Sequence, residues 1–200
     1  MKIDKDKMDL ICDYISDKNF SFFSENMVGK TQTQLYCVSR YAYENDNKHI
    51  VILINNRNSI HTVFDILRDL NDESEESKLL ALHNSINVIR VANTKILIVH
   101  NIIYLMQAIN NSPIDVLMID DFSNIQKDEE DIKIISEQVK LKNIQLFVNG
   151  SLNNEQTYNH ISILKEHNDF KDITLEFLDD IAVYLRMYKI MNIKRKKVDN

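Results

Sequence analysis

Phe20-Ser21-Phe22-Phe23-Ser24-Glu25-Asn26-Met27-Val28-Gly29-Lys30-Thr31 joins a short apolar run to a Gly-Lys-Thr triplet, and helical spacing of apolar residues follows from about Thr31 to Tyr43. The chain holds only two glycines, Gly29 and Gly150. Average usage would supply about 14 in a chain of this length. Glycine allows backbone geometry that other residues resist, so each of the two marks a place where that geometry is needed. Strand, Gly-Lys-Thr loop and helix, in that order, is the context in which a phosphate-binding loop works.

The chemistry can be assigned residue by residue. Ser24, Glu25, Asn26, Met27, Val28, Gly29, Lys30 and Thr31 form the expected ATP-binding loop, in which backbone N–H groups and the positive end of the following helix cradle the β-phosphate. Lys30 bridges the β- and γ-phosphates as a point charge, and the Thr31 hydroxyl binds Mg²⁺. Ser24 stands where the usual pattern G-x-x-x-x-G-K-S/T has its first glycine; a small residue there still permits close approach.

A phosphate-binding loop requires a carboxylate at the end of a later buried strand. Asp115-Val116-Leu117-Met118-Ile119-Asp120-Asp121 is a short apolar run closed by two carboxylates, as expected of a strand buried on both faces. Asp120 is the expected Mg²⁺-side carboxylate. Asp121 takes the position of the base that activates the attacking water, one methylene shorter than the usual glutamate. The competing reading is a strand that ends in a solvated Asp-Asp turn. Gly150 closes a second run, Ile144-Gln145-Leu146-Phe147-Val148, in Asn149-Gly150-Ser151. Asn149 and Ser151 are candidates for sensing the γ-phosphate, with Asn149 taken as catalytic beside Lys30 and Asp121; the alternative is an ordinary Asn-Gly turn.

Outward from these motifs the pattern alternates. A helix is expected over Asp4 to Ser16, a strand over Asn19 to Phe23, a helix over Thr31 to Tyr43, a strand over His49 to Ile54 and a helix over Ser59 to Leu70. Asp72 to Ser77 reads as an acidic surface loop. Asn87 to Val91 and Lys95 to Val99 pair as a hairpin, and a helix over Asn101 to Ile109 leads into the Asp120 strand. Helix Asp131 to Val139, strand Ile144 to Val148, a helix near Asn159 to His167, strand Ile173 to Phe177 and helix Leu178 to Met191 complete the reading. Five parallel strands between helices predict an α/β fold, a three-layer RecA-like P-loop NTPase core with a mostly parallel sheet. One domain is expected over residues 1–192 and a basic tail over 193–200, where Lys194-Arg195-Lys196-Lys197 reads as a solvated end.

Composition narrows the function. A net charge of −6 excludes wrapping of nucleic acid by bulk electrostatics, so any DNA contact is local. No apolar run reaches the roughly 18 to 20 residues of a membrane span, and Met1 to Asp13 is charged rather than leader-like, so a soluble intracellular protein with no membrane partner is expected, in the host cytoplasm if viral. Cys12 and Cys37 lack ligand spacing and read as packed free thiols. The six histidines show no paired ligand spacing, which leaves nucleotide-bound Mg²⁺ as the expected metal.

Phe20 to Asn55, with Met27-Val28-Gly29-Lys30-Thr31, a helix and the strand from His49, resembles the ATPase domain of phage terminase large subunits. Those motors carry a loop R-Q-V-G-K-T, a strand ending I-D-E and a coupling turn after the next strand. The matching stretches here are Asn26-Met27-Val28-Gly29-Lys30-Thr31, Ile119-Asp120-Asp121 and Val148-Asn149-Gly150-Ser151. Superfamily 2 helicases share the core, and Ile96-Leu97-Ile98-Val99-His100 suits them equally. Asn26 replaces the loop arginine of terminases, Asp121 replaces their catalytic glutamate, and 200 residues leave no room for a nuclease or second motor domain. Arg57 or Arg90 is then read as a charge donor to a neighbouring subunit's nucleotide. The resemblance implies a viral DNA-packaging ATPase domain working with partner subunits or as a homo-oligomer. A helicase-like ATPase and a catalytically degenerate P-loop protein with a structural or regulatory role stand beside it.

Overall fold

The computed structural model describes residue 12 and residues 18–23, 30–56, 59–70, 79–83, 86–91, 93–151, 155–167 and 170–172. The expected first helix apart from Cys12, the acidic stretch Asp72 to Ser77, the strand Ile173 to Phe177, the helix Leu178 to Met191 and the basic tail lie outside these residues.

Strand β1 (Asn19–Phe23) is followed by helix α1 (Lys30–Glu44), strand β2 (His49–Leu53) and helix α2 (Ser59–Leu70). Strands β3 (Leu79–His83), β4 (Ile86–Val91) and β5 (Thr94–Val99) come next, then helix α3 (Ile102–Asn111), strand β6 (Val116–Ile119) and a single 3-10 turn at Phe122–Asn124. Helix α4 (Glu129–Leu141), strand β7 (Gln145–Gly150), helix α5 (Glu155–His167) and strand β8 (Phe170–Asp172) close the described order. The strands form one sheet in the order β3-β4-β5-β2-β6-β7-β1-β8. From β5 to β8 every neighbouring pair is parallel, and β4 pairs antiparallel with both β3 and β5.

The sheet therefore has six contiguous parallel strands where the sequence predicts five. β8 escapes notice because Phe170-Lys171-Asp172 is short and polar; only its register beside β1, with Phe20 opposite Lys171, makes it a strand. β3 is likewise absent from the expectations, since Leu79-Leu80-Ala81-Leu82-His83 has no two-residue alternation to mark it. The β4–β5 hairpin forms as expected, with Val91 opposite Thr94.

Burial on both faces is what makes the central strands continuously apolar. Successive β2 residues point to opposite sides: Ile50 and Ile52 join one core with Phe20, Phe22, Met118 and Phe147, against Leu35, Val38 and Ala42 of α1 and Ile60, Val63 and Leu67 of α2. Val51 and Leu53 join the other with Leu117, Ile119, Leu146 and Val148, against α3, α4 and α5. Two helical layers thus sandwich the sheet. Phe20 fixes β1 against β7, its ring 4.2 Å from that of Phe147.

Local chemistry sets the helix starts. Asn101 Oδ1 accepts from Tyr104 N at 2.9 Å and caps α3. Asp128 and Asp131 exchange backbone-to-carboxylate bonds in a capping box, which starts α4 two residues earlier than its apolar spacing suggests. Cys12 and Cys37 are buried free thiols with their sulfurs 3.3 Å apart, and burial pushes the Cys37 thiol up.

Candidate functional site

The C-terminal ends of β2, β6 and β7 and the N-terminus of α1 meet at one edge of the sheet, where an open α/β fold binds ligands. Ser24, Glu25, Asn26, Met27, Val28 and Gly29 lie outside the described residues. Lys30 and Thr31 open α1, and the structure brings both to the two aspartates. Thr31 Oγ1 donates to Asp120 Oδ1 at 2.6 Å across 89 residues of sequence. Lys30 is buried and feels both Asp121 and Asp120.

Asn149 joins the pieces. It is the penultimate residue of β7 and pairs in register with Phe22 of β1, so the expected Asn-Gly turn is instead the end of a strand. Its buried amide donates to Asp120 Oδ1 and to Gln34 Oε1, both at 2.7 Å, and its carbonyl oxygen accepts from Asp121 N at 2.9 Å. One side chain thereby touches the acidic strand end twice and the helix that carries Lys30 once. Ser151, the other sensor candidate, is held through its backbone: its N–H donates to Ser123 Oγ, which donates in turn to Ser151 O, each at 2.6 Å.

Asp120 and Asp121 differ in environment. Burial pushes the Asp120 carboxyl above the usual range, opposed by the hydrogen bonds from Thr31 and Asn149. Asp121 is half-buried, with left-handed φ 56° and ψ 45° that a non-glycine residue adopts at some cost. Asn55 Nδ2 donates to Asp121 Oδ2 at 3.1 Å, and Asn124 Nδ2 contacts Oδ1 at 2.9 Å and Oδ2 at 3.0 Å. The Asp-Asp pair is therefore tied into the fold by four side chains, those of Thr31, Asn149, Asn55 and Asn124, rather than left as a solvated turn. Burial also lowers the Lys30 ammonium from its ordinary value, against the pull of Asp121 and then Asp120.

A second lysine stands beside the pair. Lys127 Nζ donates to Phe122 O and, at 3.1 Å, to Ile125 O, and lies 4.3 Å from the Phe122 ring centroid. Burial lowers it to about 8, with Asp121 pulling the other way.

Sequence reasoning missed Gln34, Asn55, Asn124 and Lys127. Gln34 sits three residues beyond Thr31 on the same helical face, Asn55 is a polar residue just past an apolar strand, and Asn124 lies three residues after Asp121. Each spacing is visible in the chain, but none says what it faces. Gln34 Nε2 is buried with no hydrogen-bond partner in the described structure. Of the two proposed charge donors, Arg57 lies outside the described residues. Arg90 is exposed on β4 opposite Lys95, at the end of the sheet away from Asp120.

No group of three His, Cys, Asp or Glu side chains is placed to hold a metal among the described residues. The Thr31 hydroxyl and Asp120 carboxylate instead offer two adjoining hard oxygen donors. That set fits Mg²⁺, which commonly takes one or two protein ligands and completes its shell with phosphates and water.

No protein-family model and no curated sequence matches the chain. Solved structures match in fold. The large terminase of thermophilic bacteriophage D6E in complex with ADP superposes with a TM-score of 0.60 at 10% identity, over 86% of this chain and 46% of that one. The large terminase of bacteriophage HK97 gives 0.55 at 13% identity, over 85% and 38%. The fold matches the RecA-like α/β core of these terminases. The Hef helicase domain of Pyrococcus furiosus shares this core, with a TM-score of 0.54 at 13% identity over 86% of this chain and 38% of its own. The chain spans less than half the length of each of these three neighbours. Among the described residues no helix is long and apolar enough to cross a membrane.

Proposed function

We propose that this core binds Mg²⁺·ATP at Ser24 to Thr31 and hydrolyses it as a motor domain acting on double-stranded viral DNA, in the manner of a terminase. The observation that carries the reading is the 2.6 Å contact between Thr31 and Asp120, with Lys30 buried beside it. A hydroxyl, a carboxylate and an ammonium converging at the N-terminus of a helix are the groups a Mg²⁺-bound triphosphate requires.

In this reading Lys30 neutralises charge on the β- and γ-phosphoryl oxygens, and Thr31 with Asp120 would hold Mg²⁺, which would supply Lewis-acid stabilisation of that charge. Water attacks the γ-phosphorus, the bond to the β–γ bridging oxygen breaks, and the proton leaving the water is taken by Asp121. Asn149 links Asp120 to Gln34, so a change in the phosphate state is passed from the acidic strand to the helix following the loop. DNA engagement and partner subunits come into the reading from the likeness of fold to terminases, one of which was solved with ADP.

A second reading rests on Asp121, whose carboxylate is held by Asn55 and Asn124. It makes the chain a nucleotide-binding protein with little turnover and a regulatory or structural role. ATP turnover by the purified chain, with and without double-stranded DNA, next to a Mg²⁺·ATP binding titration separates the two. Turnover that DNA stimulates and Lys30→Ala removes supports the motor. Binding without turnover supports the second reading, and absence of both removes the site assignment.

A further inference from the structure

Asp121 has a carboxylate and a backbone that are both already engaged. Asn124 Nδ2 spans its two oxygens at 2.9 Å and 3.0 Å, and Asn55 Nδ2 adds a third contact at 3.1 Å. The two amides come from different elements. Asn55 lies just past β2, the strand hydrogen-bonded beside β6, while Asn124 belongs to the 3-10 turn that Asp121 itself begins. The main chain is fixed as well, since Asp121 N donates to Asn149 Oδ1 at 2.9 Å.

A carboxylate offers about four lone-pair sites, and a general base must turn one of them toward the water within hydrogen-bond reach. Here one amide hydrogen of Asn124 is shared between both oxygens and one from Asn55 adds to Oδ2, so both oxygens are engaged. A glutamate could extend past such a ring of donors; the shorter aspartate, anchored by a left-handed backbone at φ 56°, has little room to do so.

We propose that Asn55 and Asn124 are positioning residues that clasp the Asp121 carboxylate away from the attacking water, so that bound ATP is hydrolysed slowly. This rests on the reading of Asp121 as the base and names what restrains it. The clasp acts on the chemical step alone. Neither asparagine makes a contact with Lys30, Thr31 or Asp120 among the hydrogen bonds that define the nucleotide end of the site. Its loss therefore raises kcat and leaves KM and nucleotide affinity in place.

Asn124→Ala, Asn55→Ala and the double variant provide the test. Asn124 is exposed and the two residues sit on separate elements, so failure of one variant to fold leaves the other as a probe. Mg²⁺·ATP affinity is measured first by titration, then turnover. The expected result is a kcat raised roughly tenfold in Asn124→Ala and further in the double variant, a part of the 10²–10⁴-fold a general base supplies. Affinity should hold within about twofold, as expected for an interaction confined to the chemical step. The gain should vanish when Asp121→Asn is added. Unchanged or lower kcat with intact binding overturns the clasp and leaves the nucleotide site standing, and so does a gain that survives in Asp121→Asn. No binding of Mg²⁺·ATP by the unaltered chain overturns the clasp and the site together.

Discussion

Asn149 donates to Asp120 at 2.7 Å from the adjoining strand, and the oxygen it reaches is the one that Thr31 also reaches at 2.6 Å. Asn149 and Asp120 are both buried, so bulk water does not readily replace a lost partner. Asn149→Ala leaves Gln34 Oε1, Asp121 N and one site on the Asp120 carboxylate unsatisfied. The cost should be about 3 kcal/mol, as for buried polar groups stripped of their partners, one of them charged. Urea unfolding measures it, and a midpoint equal to the unaltered protein's would show that these three groups find other partners.

Lys30 and Asp120 divide binding from turnover. Lys30→Ala should weaken Mg²⁺·ATP affinity by an order of magnitude or more, and Asp120→Asn should abolish Mg²⁺-dependent turnover. Nucleotide at about 100 times its dissociation constant should stabilise the unaltered chain by about 2.7 kcal/mol by mass action, a gain cut to about 1.4 kcal/mol or less in Lys30→Ala at the same concentration. Thermal unfolding with and without Mg²⁺·ATP reads this directly. Equal shifts in both proteins would remove Lys30 from the site.

Asp121→Glu places a longer carboxylate at the same strand end. It should raise hydrolysis if the short side chain is what limits the reaction, and initial-rate measurements at saturating ATP suffice to see it. No gain would move the limitation elsewhere, for example to Asn26, at the loop position where terminases carry an arginine.

Lys127 should lose its proton near pH 8 rather than near its ordinary value of 10.5, because burial disfavours the ammonium more than Asp121 favours it. The sign for stability follows. Between about 8 and 10.5 the unfolded chain keeps the proton that the folded chain has released, so stability contributed at this site rises with pH across that window. Below about 8 both states are charged and the folded one carries the desolvation cost in full. Competitive amine labelling of Lys127 against pH gives the midpoint; a midpoint near 10 would mean that the Phe122 and Ile125 carbonyls hold the charged form as well as water does.

The sequence by itself carried the class of fold and singled out the ends of the candidate site. Apolar runs of four to six residues between helical patterns can satisfy their backbone and bury both faces in a parallel α/β sheet, and β2 and β6 announce themselves this way. Scarcity of glycine singled out Gly29 and Gly150, and two carboxylates at the end of an apolar strand singled out Asp120 and Asp121. Tertiary structure decided what pairing alone determines. β8 is a strand only because β1 lies beside it, and Asn149 is the end of a strand only because Phe22 stands opposite. The same holds for the asparagines around Asp121. An amide has no periodic signature, and its partner is fixed by which strand ends fall next to each other, so Asn55 and Asp121, 66 residues apart, meet only once β2 and β6 are neighbours.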